Sequence, residues 1–456
     1  MATSTPTTLA VREKKKFGKE LIKDFLFAEG HKNLNHGSFG TYPRPVREAM
    51  HGFSDASEAR PDDFIFYTYP KKLDESRTAL AALLSVPVET LVFVPNATTG
   101  VNTVLRNLVY EEGDKILYFA TAYGACEKTV VHLTETTPVQ GVKIEFVHPV
   151  EDDWIVDQFR KRVKEEQAKG ANVKVAMFDT VVSIPGVRMP FERLTAACKE
   201  LGVLSLVDAA HGIGHIDLDL AKLDPDFLVS NCHKWLYVPR GCAVFHVPVR
   251  NQHLIRTTLP TSHGFNPLPV PGIAKIPTPV PSSGAKTAFI QNFEFMATID
   301  NSPFLCIPAA IAYRESLGGE KSIMEYCNRL AREAGRRAAE ILGTEVLENS
   351  TGTLGNCCMT NVRLPISQSV VEEVAIKGGI EKDNVVTWVR EWMSKLLSDE
   401  YSTFIMIRWY AGAWWARFSG QVYLEIEDFE WGARVLKEVC GRVEKGEFLK
   451  EIASKL

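Results

Sequence analysis

The chain has 456 residues, of which 45% are hydrophobic and 24% charged, and this is enough to bury a large core across two or three domains. A net charge of -4 without a basic stripe argues against nucleic acid as a partner. No apolar run is long enough to cross a membrane, and the N-terminus has no apolar signal core. The nine cysteines follow neither metal-ligand nor disulfide spacing, so we expect no metal site and a cytoplasmic location.

Short β-rich segments alternate with longer helical ones over residues 31–310, after a polar N-terminal tail at 1–30. This alternation predicts an α/β domain with a mostly parallel seven-stranded sheet covered by helices, and it places ligands beyond the carboxyl ends of the strands. Helices are predicted over Asp157–Lys169 and Phe191–Leu201. The predicted strands are Leu91–Val94, Ile116–Phe119, Ile144–Val147, Val175–Phe178, Leu204–Val207, Phe227–Ser230 and Ala243–Val247.

The C-terminal third has a different pattern. Residues 266–283 carry six prolines without periodicity, which predicts an extended loop that we interpret as a lid over the site. Residues 311–456 predict a smaller α+β domain, on which the N-terminal arm is expected to pack. Its predicted helices and the one leading into it lie near Ala309–Leu317, Lys321–Leu342, Val385–Leu397 and Asp428–Glu444.

An acid and an amine follow two predicted strands. Asp208 ends one strand, and Lys234 lies in the segment Ser230–Leu236 that follows the next. Taken singly, these would be a turn aspartate and a surface lysine. As an ordered pair flanked by His211 and His233, they predict a site for pyridoxal phosphate. That cofactor needs an amine to form a Schiff base and a carboxylate to keep its ring nitrogen protonated.

Two further polar features lie at strand ends. The segment Asn96–Asn102 begins a helix after the strand Leu91–Val94, and its N–H groups and hydroxyls suit a phosphate, although an ordinary helix cap has the same pattern. Tyr123 follows another strand. Its ring is placed to stack on a cofactor and its hydroxyl to transfer a proton, whereas a lone tyrosine is more often a core residue with a solvated tip.

Four ordered motifs together resemble the class V aminotransferase family of pyridoxal-phosphate enzymes, which has the type I fold. The motifs are Asn96–Gly100, Asp208–His211, Asn231–Lys234 and Ala416–Tyr423, and the resemblance covers nearly the whole chain after the N-terminal tail. Within the family the chain is similar to isopenicillin N epimerase-like and cysteine desulfurase-like members. It is most similar to fungal C–S lyases of the ergothioneine pathway, for example through the segment Asn33–Gly40.

The resemblance implies roles for residues around the cofactor. Lys234 is expected to form the Schiff base, Asp208 to pair with the pyridinium nitrogen, and Tyr123 to take part in catalysis. His211 and Ser183 are expected near the phenolic oxygen. The phosphate is expected to be held by the Ala97 backbone, Thr98, Asn231 and His233, and by Thr298 of the neighbouring subunit of a homodimer.

The resemblance also implies a substrate site. Arg417 matches the arginine that clamps the substrate α-carboxylate, and its flanking aromatic residues indicate a semi-buried group rather than a surface ion pair. Asn35 and His36 are expected to contact the substrate. The stretch Arg408–Trp414 departs from the C–S lyase pattern, which has additional arginines there. The cofactor machinery is therefore retained while the substrate rim has changed.

These residues imply an enzyme that removes the Cα proton of an amino-acid substrate and forms a quinonoid. The favoured outcome is β-elimination of a sulfur leaving group, as in a C–S lyase. One alternative is epimerisation. Another is Mannich- or cyclase-type carbon–carbon bond formation in fungal alkaloid or other secondary metabolism. A non-catalytic cofactor-binding relative is a minor alternative, because both the lysine and the aspartate are present.

Overall fold

A computed structural model describes the protein over residues 16–269, 271–272 and 286–449. The predicted N-terminal tail is therefore described only from residue 16. Most of the predicted proline-rich lid at 266–283 lies outside the described residues.

The large sheet has seven strands, and its strand order confirms the predicted α/β architecture. The strands are β1 (Leu91–Val94), β2 (Asp114–Phe119), β3 (Gln140–Ile144), β4 (Asn172–Asp179), β5 (Leu204–Asp208), β6 (Phe227–Asn231) and β7 (Ala243–His246). They are arranged in the order β1-β7-β6-β5-β4-β2-β3. Only β7 runs against its neighbours β1 and β6, and the other pairs are parallel.

Strand β3 lies earlier in the chain than the sequence predicts. Apolar residues place it at Ile144–Val147, but its pairing with β2 ends where Phe119 meets Ile144. Because β2 ends at Phe119, the residues that follow Ile144 have no neighbouring strand. Val147 is accordingly 54% exposed.

The central strands β4, β5 and β6 are almost entirely buried. This burial on both sides shows that helices cover both faces of the large sheet. The helix predicted over Phe191–Leu201 has those bounds, and the one predicted from Asp157 begins earlier, at Asp152. A π-helical turn (Phe64–Thr68) joins α3 to α4. The helices are α1 (His36–Phe39), α2 (Arg44–Ala59), α3 (Pro61–Asp63), α4 (Tyr69–Leu84), α5 (Ala97–Asn107), α6 (Gly124–Thr136), α7 (Asp152–Ala168), α8 (Phe191–Leu201), α9 (Leu220–Leu223), α10 (Cys232–Trp235), α11 (Ala288–Glu294), α12 (Ser302–Leu305), α13 (Ile307–Ser316), α14 (Gly319–Leu342), α15 (Gln368–Lys377), α16 (Val385–Tyr401) and α17 (Ile426–Glu444).

A smaller antiparallel sheet lies in the C-terminal part, with strands β8 (Met359–Arg363), β9 (Met406–Tyr410) and β10 (Ala413–Ser419) in the order β8-β10-β9. Helix α14 packs on this sheet and on α17. The N-terminal arm also lies here, since the N–H of Gly18 donates to the carbonyl of Val422 over 2.7 Å. The smaller α+β part predicted from the sequence is therefore present.

Three findings bear on compartment and cofactor class. Within the described ranges, no helix combines the length and apolar character needed to cross a membrane. The nine cysteines are all buried free thiols. In the same part of the chain, histidine, cysteine and acidic side chains form no cluster of three that suits a metal ion.

Candidate active site

The predicted acid and amine lie in one site at the carboxyl end of the large sheet. Asp208 ends β5, and Lys234 lies in α10, directly after the neighbouring strand β6. Burial is the largest cause of both pKa shifts, since it raises the pKa of Asp208 and lowers that of Lys234, and the charge of each residue opposes the shift of the other. The two side chains are therefore close enough for their charges to interact.

A chain of hydrogen bonds favours the uncharged form of Lys234. Trp235 Nε1, which can only donate, lies 3.1 Å from His211 Nδ1, so the proton of a neutral His211 is on Nε2. That nitrogen lies 3.0 Å from Lys234 Nζ, which accepts the proton only as an uncharged amine. Burial, followed by the charge of Arg417, lowers the pKa of Lys234 to about 8. Burial lowers the pKa of His211 well below its usual value. Both effects favour the free amine that a Schiff base requires.

The Asp208 carboxylate is held by donors on both of its oxygens. Oδ1 accepts the N–H of Ala210 at 3.0 Å, and Oδ2 lies 3.5 Å from the Cys126 thiol, which donates to it. The side chain is only 3% exposed. Burial raises the pKa of Asp208, and the Ala210 N–H and the Lys234 charge oppose this rise. A fixed, buried carboxylate of this kind suits a positively charged ring nitrogen.

A second hydrogen-bond chain holds the backbone of Lys234. Its carbonyl lies 2.7 Å from His36 Nε2 and must accept, so His36 Nδ1 accepts from the Tyr423 hydroxyl at 3.0 Å. Asn33 Nδ2 donates to the same hydroxyl at 2.9 Å. The segment Asn33–Gly40 approaches α10 closely. A Cβ at Gly40, where φ is +64°, would lie 1.9 Å from the carbonyl oxygen of His233. Glycine is therefore required there.

This arrangement differs from the expected substrate contacts of the segment. His36 is buried, and both of its ring nitrogens are bonded within the protein, so it has no nitrogen left for a substrate. Asn35 Oδ1 accepts from Arg417 Nη2 at 3.0 Å. His36 therefore holds the backbone of Lys234, whereas Asn35 holds Arg417 and its contact with the substrate stays a prediction.

Arg417 projects from β10 towards the large sheet, and its Nε–H is left without a partner. Its Nη1 donates to the Ser183 carbonyl at 2.5 Å, and its Nη2 donates to Asn35 Oδ1 and to Ser38 Oγ at 2.9 Å. Its Nε is buried without a hydrogen-bond partner. No carboxylate of the described residues forms an ion pair with it, and burial, then the charge of Arg408, lowers its pKa to about 10. A buried, unpaired guanidinium with a free donor suits an anionic ligand.

The start of α5 provides donors suited to a phosphate. The side chain of Asn96 caps the helix by accepting from Thr99 N at 2.9 Å, and the N–H of Ala97 donates to Asn231 Oδ1 at 2.8 Å. Within the described chain, the N–H and hydroxyl of Thr98 have no hydrogen-bond partner. A Cβ at Gly100 would lie 2.6 Å from Val229 in β6, so this glycine lets the helix reach the strand end. The free donors lie at the positive end of the helix dipole.

His233 lies beside this region. Its Nδ1 donates to the carbonyl of Cys242 at 3.0 Å, so Nε2 is the nitrogen that remains for a ligand. Burial lowers the pKa of His233 to about 4.

Three predicted residues place no side chain in these hydrogen-bond networks. Tyr123 precedes α6, and its side chain is 50% exposed. Ser183 contributes its carbonyl to Arg417, rather than its hydroxyl to the site. Thr298 is exposed in the loop after α11.

Several residues of the site were missed from the sequence. Asp179 ends β4 and pairs in register with Asp208, and its position after a predicted strand was the available signal. Trp235 fixes the tautomer of His211, and its position next to Lys234 was a signal of the same kind. Arg314 donates to the Trp235 carbonyl at 2.7 Å and so holds the end of α10. No sequence pattern marks Arg314.

Comparisons with known proteins identify the family and the fold of the chain. The model of the family described as aminotransferase class-V matches residues 40–264. An L-cysteine desulfhydrase-like protein, lolT1 of Epichloe uncinata, is 39% identical over 94% of this chain and 96% of its own length. The chain belongs to the class V aminotransferase family. The hercynylcysteine sulfoxide lyase of Schizosaccharomyces pombe is 28% identical over 93% of this chain and 98% of its own length.

Solved structures give the same fold. The cystine C–S lyase C-DES, in complex with cysteine persulfide, superposes with a TM-score of 0.69 at 17% identity and covers 90% of this chain and 98% of its own. This confirms the type I fold expected from the sequence. The cofactor of the protein is pyridoxal phosphate. The Lys234 amine with its lowered pKa, the buried Asp208 carboxylate and the free donors of Thr98 fit its aldehyde, ring nitrogen and phosphate, respectively.

Proposed function

We propose that this enzyme is a C–S lyase that eliminates a sulfur leaving group from Cβ of an amino acid. The observation that carries the proposal is the buried amine of Lys234, whose pKa is lowered and which is held by His211 and Trp235 beside the Asp208 carboxylate. An amine of this kind links to the cofactor and, once released, is a base for the Cα proton. Relatives named as a cysteine desulfhydrase-like protein and a sulfoxide lyase support elimination as the outcome.

The residues of the large sheet hold the cofactor and move the proton. Pyridoxal phosphate supplies an aldehyde for the amine and an electron sink for the carbanion. Lys234 Nζ takes the Cα proton, and Asp208 keeps the ring nitrogen protonated. His211 Nε2–H is the donor for the phenolic oxygen. Thr98, Asn231 and His233 hold the phosphate, whose negative charge raises the pKa of His233 so that its Nε2 donates.

Arg417 orients the substrate. Asn35, Ser38 and the Ser183 carbonyl already hold its Nη groups, so the guanidinium keeps a fixed orientation before the substrate enters. The free Nε–H then binds the α-carboxylate. Fixing the carboxylate also fixes the direction of the Cα–H bond relative to Lys234.

Tyr123 is the proposed acid for the departing sulfur. Its half-exposed side chain lies after β2, on the same edge of the sheet as Lys234. Proton donation at the sulfur assists breakage of the C–S bond. Tyr123→Phe should therefore slow release of the sulfur product more than exchange of the Cα proton.

The enzyme is proposed to act as a homodimer with shared sites, because Thr298 is exposed and, among the described residues, forms no hydrogen bond with its own site. In a dimer Thr298 reaches the phosphate held by the partner. Mixing Lys234→Ala with Thr298→Asp chains tests this arrangement. In mixed dimers one site carries both substitutions and the other carries neither, so activity returns. If the two residues act within one chain, every site in the mixture carries a substitution and no activity returns.

A product assay tests the lyase function directly. The holoenzyme is incubated in D₂O with S-substituted cysteines and their sulfoxides, and both pyruvate and deuterium at Cα are measured. Pyruvate formation that is lost in Lys234→Ala supports the proposal. Deuterium exchange without pyruvate from any of these substrates contradicts it, and would favour epimerisation or carbon–carbon bond formation.

A further inference from the structure

A second buried carboxyl group lies beside Asp208. Asp179 ends β4 and is the register partner of Asp208 at the end of β5. Side chains of register partners in neighbouring parallel strands point to the same face of the sheet, and the strands lie about 4.8 Å apart. Asp179 is 6% exposed and Asp208 is 3% exposed. Two acidic groups are therefore held side by side, away from solvent.

The surroundings of the two carboxyl groups are unequal. Asp208 accepts hydrogen bonds from Ala210 N–H and from the Cys126 thiol. Among the described residues, no other side chain donates to the Asp179 carboxyl. Hydrogen bonds to a carboxylate favour its charged form, so the negative charge is concentrated on Asp208.

The charged and titratable groups around Asp179 lead to the same result. These groups are Asp208 on β5, Lys234 on α10 and the Cys126 thiol on α6. Burial, followed by the charge of Asp208, raises the pKa of Asp179 well above its ordinary value, and Lys234 opposes this rise only in part. Two like charges at this separation in a buried site do not both persist.

We propose that Asp179 and Asp208 form a carboxyl pair that holds one negative charge and one proton, with the charge on Asp208 and the proton on Asp179. The pair is a property of the protein without its cofactor. Only its place beneath the ring nitrogen rests on the function proposed above. Asp179 acts through Asp208 and is therefore a positioning residue.

In this pair, Asp179 can carry the negative charge when Asp208 is replaced by a neutral residue. In Asp208→Asn the neighbouring negative charge that adds to the effect of burial on the pKa of Asp179 is absent, while Lys234 still lowers this pKa, so we expect the Asp179 carboxyl to ionise and to supply the negative charge in its place. Asp179→Asn alone replaces one neutral group by another of similar shape and keeps the charge on Asp208. Only the double variant leaves the ring nitrogen without a carboxylate. The effects of the two substitutions are therefore strongly non-additive.

Infrared difference spectroscopy of the apoprotein at neutral pH detects the proton directly. The carbonyl stretch of a protonated carboxylic acid should be present in the wild-type protein and absent in Asp179→Asn. Asp219→Asn is the control, because the hydrogen bond from Lys222 lowers the pKa of Asp219 and this partly exposed group is already ionised. An acid band that persists unchanged in Asp179→Asn overturns the proposal. If that variant does not fold, Asp179→Ser serves the same comparison.

The holoenzyme provides the second readout, the pH dependence of its visible absorption together with turnover. We expect Asp179→Asn to retain turnover within about threefold, and Asp208→Asn to retain at least ~10-fold more than the double variant. If the double variant equals Asp208→Asn in both absorption and turnover, Asp179 does not supply the negative charge in Asp208→Asn, and this contradicts the proposal. Failure of the wild-type protein to link the cofactor at Lys234 would instead refute the proposed function, and it would leave the infrared result unaffected.

Discussion

The floor of the active site (Asp208, His211 and Lys234) and its rim (Asn35, Ser38, Ser183 and Arg417) are built differently. In the floor, Lys234 and His211 are 23 positions apart, and donors and acceptors are matched. In the rim, Asn35 and Arg417 are 382 positions apart, and Arg417 Nε is left without a partner.

This difference separates two tasks. A floor whose hydrogen bonds are complete is organised before the cofactor arrives and contributes the same chemistry for any amino-acid substrate. A rim with a free, buried donor is complete only when an anionic group binds there. Substitutions in the floor should therefore change the chemical step, and those in the rim should change substrate binding.

The largest effect is expected in the floor. Lys234→Ala removes both the amine that links the cofactor and the base for Cα, so turnover should fall by at least ~10³-fold. Lys222→Ala removes a surface amine paired with Asp219 and should leave turnover unchanged. Steady-state kinetics of both variants provide the measurement. If turnover of Lys234→Ala were close to that of the wild-type enzyme, Lys234 would be neither the amine that links the cofactor nor the base.

A rim substitution should act mainly through KM. Arg417→Lys keeps a positive charge but loses the planar fork, so we expect kcat/KM to fall by about 10²-fold, mostly through a higher KM. Arg188→Lys, at a salt bridge with Glu192, is the matched control and should be neutral. A fall in kcat at unchanged KM would place Arg417 in the chemistry of the floor instead.

The buried amine of Lys234 should also make the free energy of unfolding depend on pH. Lys234 binds its proton less tightly in the folded apoprotein, with a pKa of about 8, than when unfolded, with a pKa near 10.5. Relative to Lys234→Met, the apoprotein should therefore gain free energy of unfolding as the pH rises from about 8 towards 10.5, by about 2–3 kcal/mol. Denaturant unfolding of both proteins across this range measures the gain. A difference that is independent of pH would contradict a buried amine.

The smallest effect is expected where the N-terminal segment supports the floor. Tyr423→Phe removes the hydroxyl that donates to His36, so we expect a loss of about 1 kcal/mol in the free energy of unfolding and a few-fold lower kcat. Tyr326→Phe removes a comparable hydrogen bond to the Leu424 carbonyl and should lower stability alone. Equal kcat in the two variants would show that His36 does not position Lys234.

The same contrast explains what the sequence predicted. Asp208, Lys234 and the start of α5 follow neighbouring parallel strands, and such strand ends meet at one edge of a sheet. The fold and the main cofactor residues were therefore accessible from local patterns. The role of His36 was not, because its partners Tyr423 and the Lys234 carbonyl come from distant parts of the chain.

The register between neighbouring strands was the other feature that the sequence did not predict. Asp179 lies at the end of a strand that was predicted, but only the alignment of β4 with β5 pairs it with Asp208. For β3, apolar composition indicated that a strand is present, but it did not show where the neighbouring strand β2 ends. Pairing between strands depends on turns and on packing, which single segments do not encode.

Reductive trapping of the cofactor tests the central claim most directly. The holoenzyme is treated with borohydride, digested and analysed by mass spectrometry. We expect the pyridoxyl phosphate mass on the peptide that contains Lys234 in the wild-type protein, and on no peptide in Lys234→Ala. The modification on a different lysine of the wild-type protein, or on none, would contradict it.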